Sequence, residues 1–266
     1  MAQRVADTFQ RVYSQIGVQQ HAVLRQAVIE LLTDSEIKAE NEETWQNDPP
    51  WFDGLQNQLE QLSNDGGNPQ RRIAANVLSH ISTVFVFNTF REGGEKLTWK
   101  DMAEADGKVF IIQLKGLEHS LERVVTEFLL WNLIGFIESI GPGPLKCFAV
   151  LDEAHKLAFD AGSPVEKLLR EGRKFGIGLI LASQQPEDFS SVAFSNTATK
   201  LIFQVTDEDS KISRQISRKL RDGHSFEEIR QTITKLPRGV AYVVSENLGY
   251  ITKIKKIRDR EKVWSA

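Results

Sequence analysis

From about residue 106 onward the chain alternates short apolar runs with segments whose apolar residues recur at helical spacing, and this alternation restricts the fold most. The runs are Val109-Phe110-Ile111-Ile112-Gln113-Leu114, Cys147-Phe148-Ala149-Val150-Leu151, Ile177 to Ala182 and Lys200 to Val205. Each has the length of a strand, and a strand apolar at successive positions must be covered on both faces. Between the runs the spacing predicts helices over residues 121–139, 163–176, 207–220 and 225–235. The helix after the second run opens with Ser163, Pro164 and, three residues after the serine, Glu166; the last opens with Ser225 and Glu228. Both are capping boxes, and proline at a first helical position loses no hydrogen bond. Strands alternating with helices give a parallel α/β sheet between two helical layers. Gly239 to Ser245 and Tyr250 to Ile254 then predict a closing hairpin around Asn247-Leu248-Gly249, an antiparallel edge to that sheet.

Before residue 106 nearly every segment has helical spacing. Val5 to Thr33 reads as two helices broken at Gly17. Asp48-Pro49-Pro50 is a turn leading into a helix from Phe52 to Leu62. The stretch from Ser63 to Pro69 is a loop built from Ser, Asn, Asp, Gly and Pro. A further helix starts near Gln70, and its end, Val84-Phe85-Val86-Phe87, suits a helix or a short strand equally. The expected organisation is a helical subdomain over 1–105 and an α/β domain over 106–266.

Composition sets the outer limits. A net charge of -3 gives no global attraction to nucleic acid, so such contact would rest on local patches. One cysteine, Cys147, excludes an internal disulfide framework and suits a reducing, cytoplasmic compartment. The longest apolar stretch, Phe128 to Ile137, is broken by Asn132 and is too short to cross a bilayer, so no membrane partner is expected.

The chemistry-bearing residues gather after the second and third runs. Asp152 and Glu153 follow Leu151 directly, at the carboxyl end of a strand, where α/β sheets bind ligands. Asp152 is suited to hold Mg²⁺, directly or through water, and Glu153 to orient or deprotonate an attacking water. Arg170, Arg173 and Lys174 lie on the helix that follows, and Ser183-Gln184-Gln185-Pro186 ends the next strand. Arg170 has Glu166 four residues before it and a simple surface pair would occupy it; Arg173 has Leu169 there. His155 reads most simply as a cap for its turn, with contact to a phosphate or substrate as the alternative. Lys211, Arg214, Arg218, Lys219 and Arg221 form a basic helix face, ordinarily a solvated one, though suited to a nucleic-acid contact.

Cys147-Phe148-Ala149-Val150-Leu151-Asp152-Glu153-Ala154-His155, then Arg170-Glu171-Gly172-Arg173-Lys174-Phe175-Gly176, then Ala182-Ser183-Gln184-Gln185-Pro186 resemble the HerA/FtsK superfamily of RecA-like motor ATPases. The resemblance covers roughly residues 106–255. It implies a RecA-like (P-loop NTPase) three-layer parallel sheet preceded by the helical subdomain. It implies a Walker B pair at Asp152 and Glu153, with Asp152 as the metal ligand and ATP and Mg²⁺ as cofactors. It implies a polar sensor at Gln184, with Gln185 second, and an arginine finger reaching a neighbouring subunit's nucleotide, with Arg173 preferred over Arg170. It also implies a ring, most simply a hexamer, that translocates on DNA as a helicase or pump, with accessory nuclease or restriction subunits as conceivable partners in antiphage defence.

One family element is missing. A phosphate-binding loop needs Gly-x-x-x-x-Gly-Lys-Ser/Thr, and no such run occurs. Gly107-Lys108 has Met102 in place of the first glycine and Val109 after the lysine; Gly93-Gly94-Glu95-Lys96 also fails. Because the chain begins in helices that would follow such a loop, the expectation is a RecA-like core lacking its first strand and loop, the carboxy-terminal part of a longer parent. Weak or absent ATP binding by the chain alone follows. The alternatives are a catalytically inactive ATPase-like scaffold, or a conjugation or secretion ATPase with the same site and another cargo.

Overall fold

The computed structural model describes residues 1–50, 52–87, 90, 98–105, 107–184, 189, 191–205, 211–220, 223–245 and 248–253 of the 266. The chain divides into two compact units, Met1–Lys146 and Cys147–Ala266.

All regular secondary structure among the described residues of the first unit is helical. Its helices are α1 (Ala2–Val12), α2 (Val18–Asp34), α3 (Phe52–Asn64), α4 (Arg71–Val86), α5 (Trp99–Glu104) and α6 (His119–Ile140). The break expected at Gly17 is real: Gly17 is the extended N-cap of α2. The Phe-rich end that suited either state belongs to α4 as helix. α3 and α4 are joined by a turn in which Asp65 accepts from Gly67 N–H and Asn68 from Gln70 N–H. These are the side-chain turns that short polar residues favour. Ala6 and Phe9 of α1, Leu24 and Ala27 of α2, Leu55 and Leu59 of α3, Val77 and Ile81 of α4 and Leu121 and Val124 of α6 bury together as one core. Each pair sits three or four residues apart, the spacing that keeps one helix face turned inward. The rings of Phe9, Phe52, Phe90 and Phe128 pack among themselves with centroids 4.6–6.4 Å apart.

That core holds one charge. Glu127 of α6 is 3% exposed, and Arg11 of α1 brings Nη2 to 2.8 Å and Nε to 3.1 Å from its Oε2. Thr8 donates to the same oxygen at 3.1 Å. A buried carboxylate persists only with partners of this kind, so the pair fixes how α1 seats on α6.

The run Val109 to Leu114 does not form the expected strand. It carries no regular structure, and Val109, Ile111 and Ile112 are 63, 76 and 51% exposed. Its composition suits a buried strand, but a strand also needs a neighbour for its backbone groups, and no strand exists among the described residues of this unit. The segment leads instead into α6, which packs with the helices before it.

The second unit is mixed α/β. Its elements are β1 (Cys147–Leu151), α7 (Pro164–Glu171), β2 (Ile177–Leu181), α8 (Ser191–Asn196), β3 (Thr199–Ile202), α9 (Lys211–Lys219), α10 (Phe226–Thr234), β4 (Val240–Ser245) and β5 (Leu248–Lys253). β1 and β2 pair in parallel from Cys147↔Ile177 to Leu151↔Leu181. β3, β4 and β5 form an antiparallel sheet in that order. The closing hairpin is therefore present, with β4 and β5 paired from Ser245↔Leu248 to Val240↔Lys253, its second strand starting two residues earlier than expected. β3 was expected to lie parallel in the sheet of β1 and β2; among the described residues it pairs antiparallel with β4. A four-residue strand, Thr-Lys-Leu-Ile, with a short helix before it does not specify which neighbour it takes. Ile229 and Ile233 of α10, Leu236, and Tyr242 and Val244 of β4 bury together beneath α9.

Candidate functional site

The site grows from the end of β1. Beyond the last paired residues, Ala182 N–H donates to the Leu151 carbonyl at 3.0 Å and Ala154 N–H donates to the Ala182 carbonyl at 2.8 Å. The chain after β1 is thus tied back to the chain after β2, with Asp152 and Glu153 held in the turn between. Glu153 has φ 54° and ψ 45°, the left-handed region. A residue with a Cβ enters that region at a cost on the order of 1–3 kcal/mol, and such residues persist where surrounding bonds fix them. The bonds through Leu151, Ala154 and Ala182 do so here. A short 3-10 turn, Ala154–Lys156, follows.

Three side chains of the turn and the neighbouring strand end meet. Gln184, two residues past Ala182, brings Nε2 to 3.4 Å from Glu153 Oε1. His155 Nδ1 stands 3.5 Å from Glu153 Oε2. Asp152 Oδ1 accepts the Glu153 N–H at 3.0 Å, and its carboxylate is open to solvent. The expected acid pair and the first-choice sensor are therefore adjacent. Gln185 lies outside the described residues.

The basic residues are placed differently. α7 is capped by Ser163, which accepts from Glu166 N–H, and it ends at Glu171. Arg173 and Lys174 fall on a separate 3-10 turn, Gly172–Phe175, stopped by Gly176 at φ 80°. The single long helix expected to end at Gly176 is thus two pieces. Arg170 pairs with Glu166 as their spacing allowed. Arg173 is exposed, and its side chain makes no hydrogen bond or ion pair among the described residues. Among those residues neither arginine contacts Glu153, Asp152 or Gln184.

The residues present fit part of a nucleotide site. Among the described residues no cluster of three or more His, Cys, Asp or Glu is built to hold a metal unaided. Mg²⁺ does not require one, since it takes most of its ligands from water and phosphate and one or two from carboxylates, a role open to Asp152. The cradle for the phosphates themselves is absent from the sequence. His155, which reads most simply as a cap, stands beside the Glu153 carboxylate instead, a pairing that the sequence reading did not anticipate. Its signal was position: two residues past a carboxylate, across a tight turn.

No protein-family model matches the sequence. It is 31% identical over 115 residues to the probable helicase MJECL08 of Methanocaldococcus jannaschii, across 40% of this chain and 21% of that protein. It is 29% identical over 168 residues to the DNA double-strand break repair helicase HerA of Sulfurisphaera tokodaii, across 58% of this chain and 33% of that protein. The chain thus spans a third or less of the length of these two relatives. In fold it is similar to VirB4 of Thermoanaerobacter pseudethanolicus, with a TM-score of 0.72 at 16% identity over 98% of this chain and 70% of that one. It is also similar to the plasmid coupling protein TrwB solved with ADP and Mg²⁺, with a TM-score of 0.63 at 17% identity over 97% and 69%. No helix of the described residues is long and apolar enough to cross a membrane. Sequence likeness to HerA helicases over part of the chain, and a fold shared with VirB4 and TrwB, agree with the resemblance to the HerA/FtsK superfamily that the motifs carry.

Proposed function

We propose that the chain is the Walker B, sensor and finger portion of an ATP-driven DNA translocase or helicase whose phosphate-binding loop lies on another stretch of polypeptide. The observation that carries this reading is the contact of Gln184 with Glu153, beside Asp152, at the ends of adjacent parallel strands. Bound Mg²⁺-ATP would supply the electrophilic phosphoryl group and a metal to neutralise its charge. Asp152 holds the metal side. Glu153 orients the attacking water and accepts its proton. Gln184 is near enough to donate to Glu153 or to an incoming phosphate oxygen. Arg173, exposed on its own turn, serves the site of a neighbouring subunit, which requires a ring; a hexamer is the simplest. DNA is the cargo named for the HerA relatives, and it is the cargo proposed here.

The test uses a protein that carries this chain together with a phosphate-binding loop. It should hydrolyse ATP, and duplex DNA should raise the rate. No hydrolysis under any DNA condition, from a protein that still binds ATP, would favour the inactive scaffold. Hydrolysis indifferent to DNA would point to another cargo.

A further inference from the structure

We propose that His155 is a positioning residue for Glu153, holding one carboxylate oxygen while Gln184 holds the other. The proposal rests on the reading of Glu153 as the base, yet its geometric half does not depend on any hydrolysis. Glu153 sits on a left-handed backbone in a short turn, so its side chain leaves the turn in a direction fixed by φ and ψ. Its two oxygens are then addressed separately: Oε1 by Gln184 Nε2 at 3.4 Å, Oε2 by His155 Nδ1 at 3.5 Å. The donors come from two different segments, the end of β2 and the turn after β1. Contacts on both sides restrain the carboxylate against rotation about its last bond, and so favour one heading for the lone pair that would face the water.

Both separations are long for hydrogen bonds. Catalytic contacts in an empty site commonly are, and they shorten when substrate arrives. The imidazole is half-exposed, and among the described residues its ring has no other hydrogen bond or ion pair. Little else would then set which ring nitrogen carries the proton. A neutral imidazole has one donor and one acceptor, and the partner of one nitrogen decides the tautomer. Facing a carboxylate, Nδ1 must be the donor.

This tautomer can be read directly. In the ¹⁵N-labelled 266-residue chain, long-range proton–nitrogen spectra at mildly alkaline pH distinguish the two ring nitrogens, and His155 is assigned by the signal lost in His155→Asn. His155 should carry its proton on Nδ1 in the wild-type chain and shift toward Nε2 in Glu153→Ala. A proton on Nε2 in the wild type, or an unchanged pattern in Glu153→Ala, would overturn the contact. The catalytic half is read in the protein that carries the phosphate-binding loop. His155→Ala and His155→Gln should lower kcat about tenfold, the scale of a small misplacement of a reacting group, with KM nearly unchanged. His155→Asn, whose amide nitrogen takes the place of Nδ1, should recover most of that loss. Equal effects of asparagine and glutamine, or none from alanine, would overturn the positioning role. If that protein does not hydrolyse ATP at all, the proposed function fails while the ring-nitrogen result still decides the contact.

Discussion

In the role proposed for it, Glu153 must aim a water molecule within a narrow range of directions, and its backbone sets one heading before any side chain acts. Its φ of 54° is maintained by the bond from Ala154 N–H to the Ala182 carbonyl, so the heading of its side chain depends on the register of β1 against β2. Arg173 is in the opposite condition, exposed on a turn without a partner among the described residues. A finger in trans acts on charge that develops during transfer, so its loss should slow chemistry and leave binding intact. In the loop-bearing protein, Arg173→Ala should bind nucleotide nearly as well and turn it over roughly 10³–10⁵ times more slowly. Arg173→Lys should not restore the rate, because the planar fork is lost. A wild-type rate for Arg173→Ala would return the role to another residue. Arg170, already paired with Glu166, should be far more tolerant of alanine.

The elements that were legible in the sequence are those whose signal is local. Apolar spacing located α1, α2 and α6 to within a few residues, and Cys147 to Leu151 has the same ends as read from the apolar run. Caps carried equal information: Ser225 and Glu228 form the reciprocal box expected at the start of α10. Illegible were features set by distant partners. The run 109–114 has a strand's composition and no strand beside it, β3 pairs with β4, and Glu127 finds Arg11 across more than a hundred residues. The candidate site divides likewise: Asp152 and Glu153 stood out by their place at a strand end and Gln184 by the family resemblance, while the left-handed turn that brings His155 onto Glu153 was not legible. The α10 box yields a pH test. Hydrogen bonds from the Ser225 backbone and hydroxyl hold the Glu228 carboxyl below its ordinary range. A depressed folded-state value means that the contribution is complete above the ordinary glutamate range and disappears as pH falls through the depressed one. Thermal unfolding should therefore separate wild type from Glu228→Ala most at neutral pH, and the gap should close in acid. Ser225→Ala should lower stability by about 1 kcal/mol, the usual loss for a cap. A gap independent of pH would mean that the carboxylate does not matter to the cap.

At the scale of the whole molecule, the chain joins a helical unit to an α/β unit that carries the candidate site. The net charge of -3 leaves any contact with DNA to local surfaces such as the exposed face of α9. Most affinity for a nucleotide of this class comes from backbone amides and a lysine of the phosphate loop. Calorimetric titration of Mg-ATP into the chain alone should accordingly show no binding in the micromolar range, and tight binding would mean that a phosphate site exists elsewhere in it. The central claim, that Glu153 is the base of a motor completed by that loop, is tested most directly by Glu153→Gln in the loop-bearing protein. The amide keeps the shape of the carboxylate but cannot take a proton from water. With ATP binding and subunit assembly measured in parallel, hydrolysis should fall to background while both persist; turnover at the wild-type rate would contradict the account.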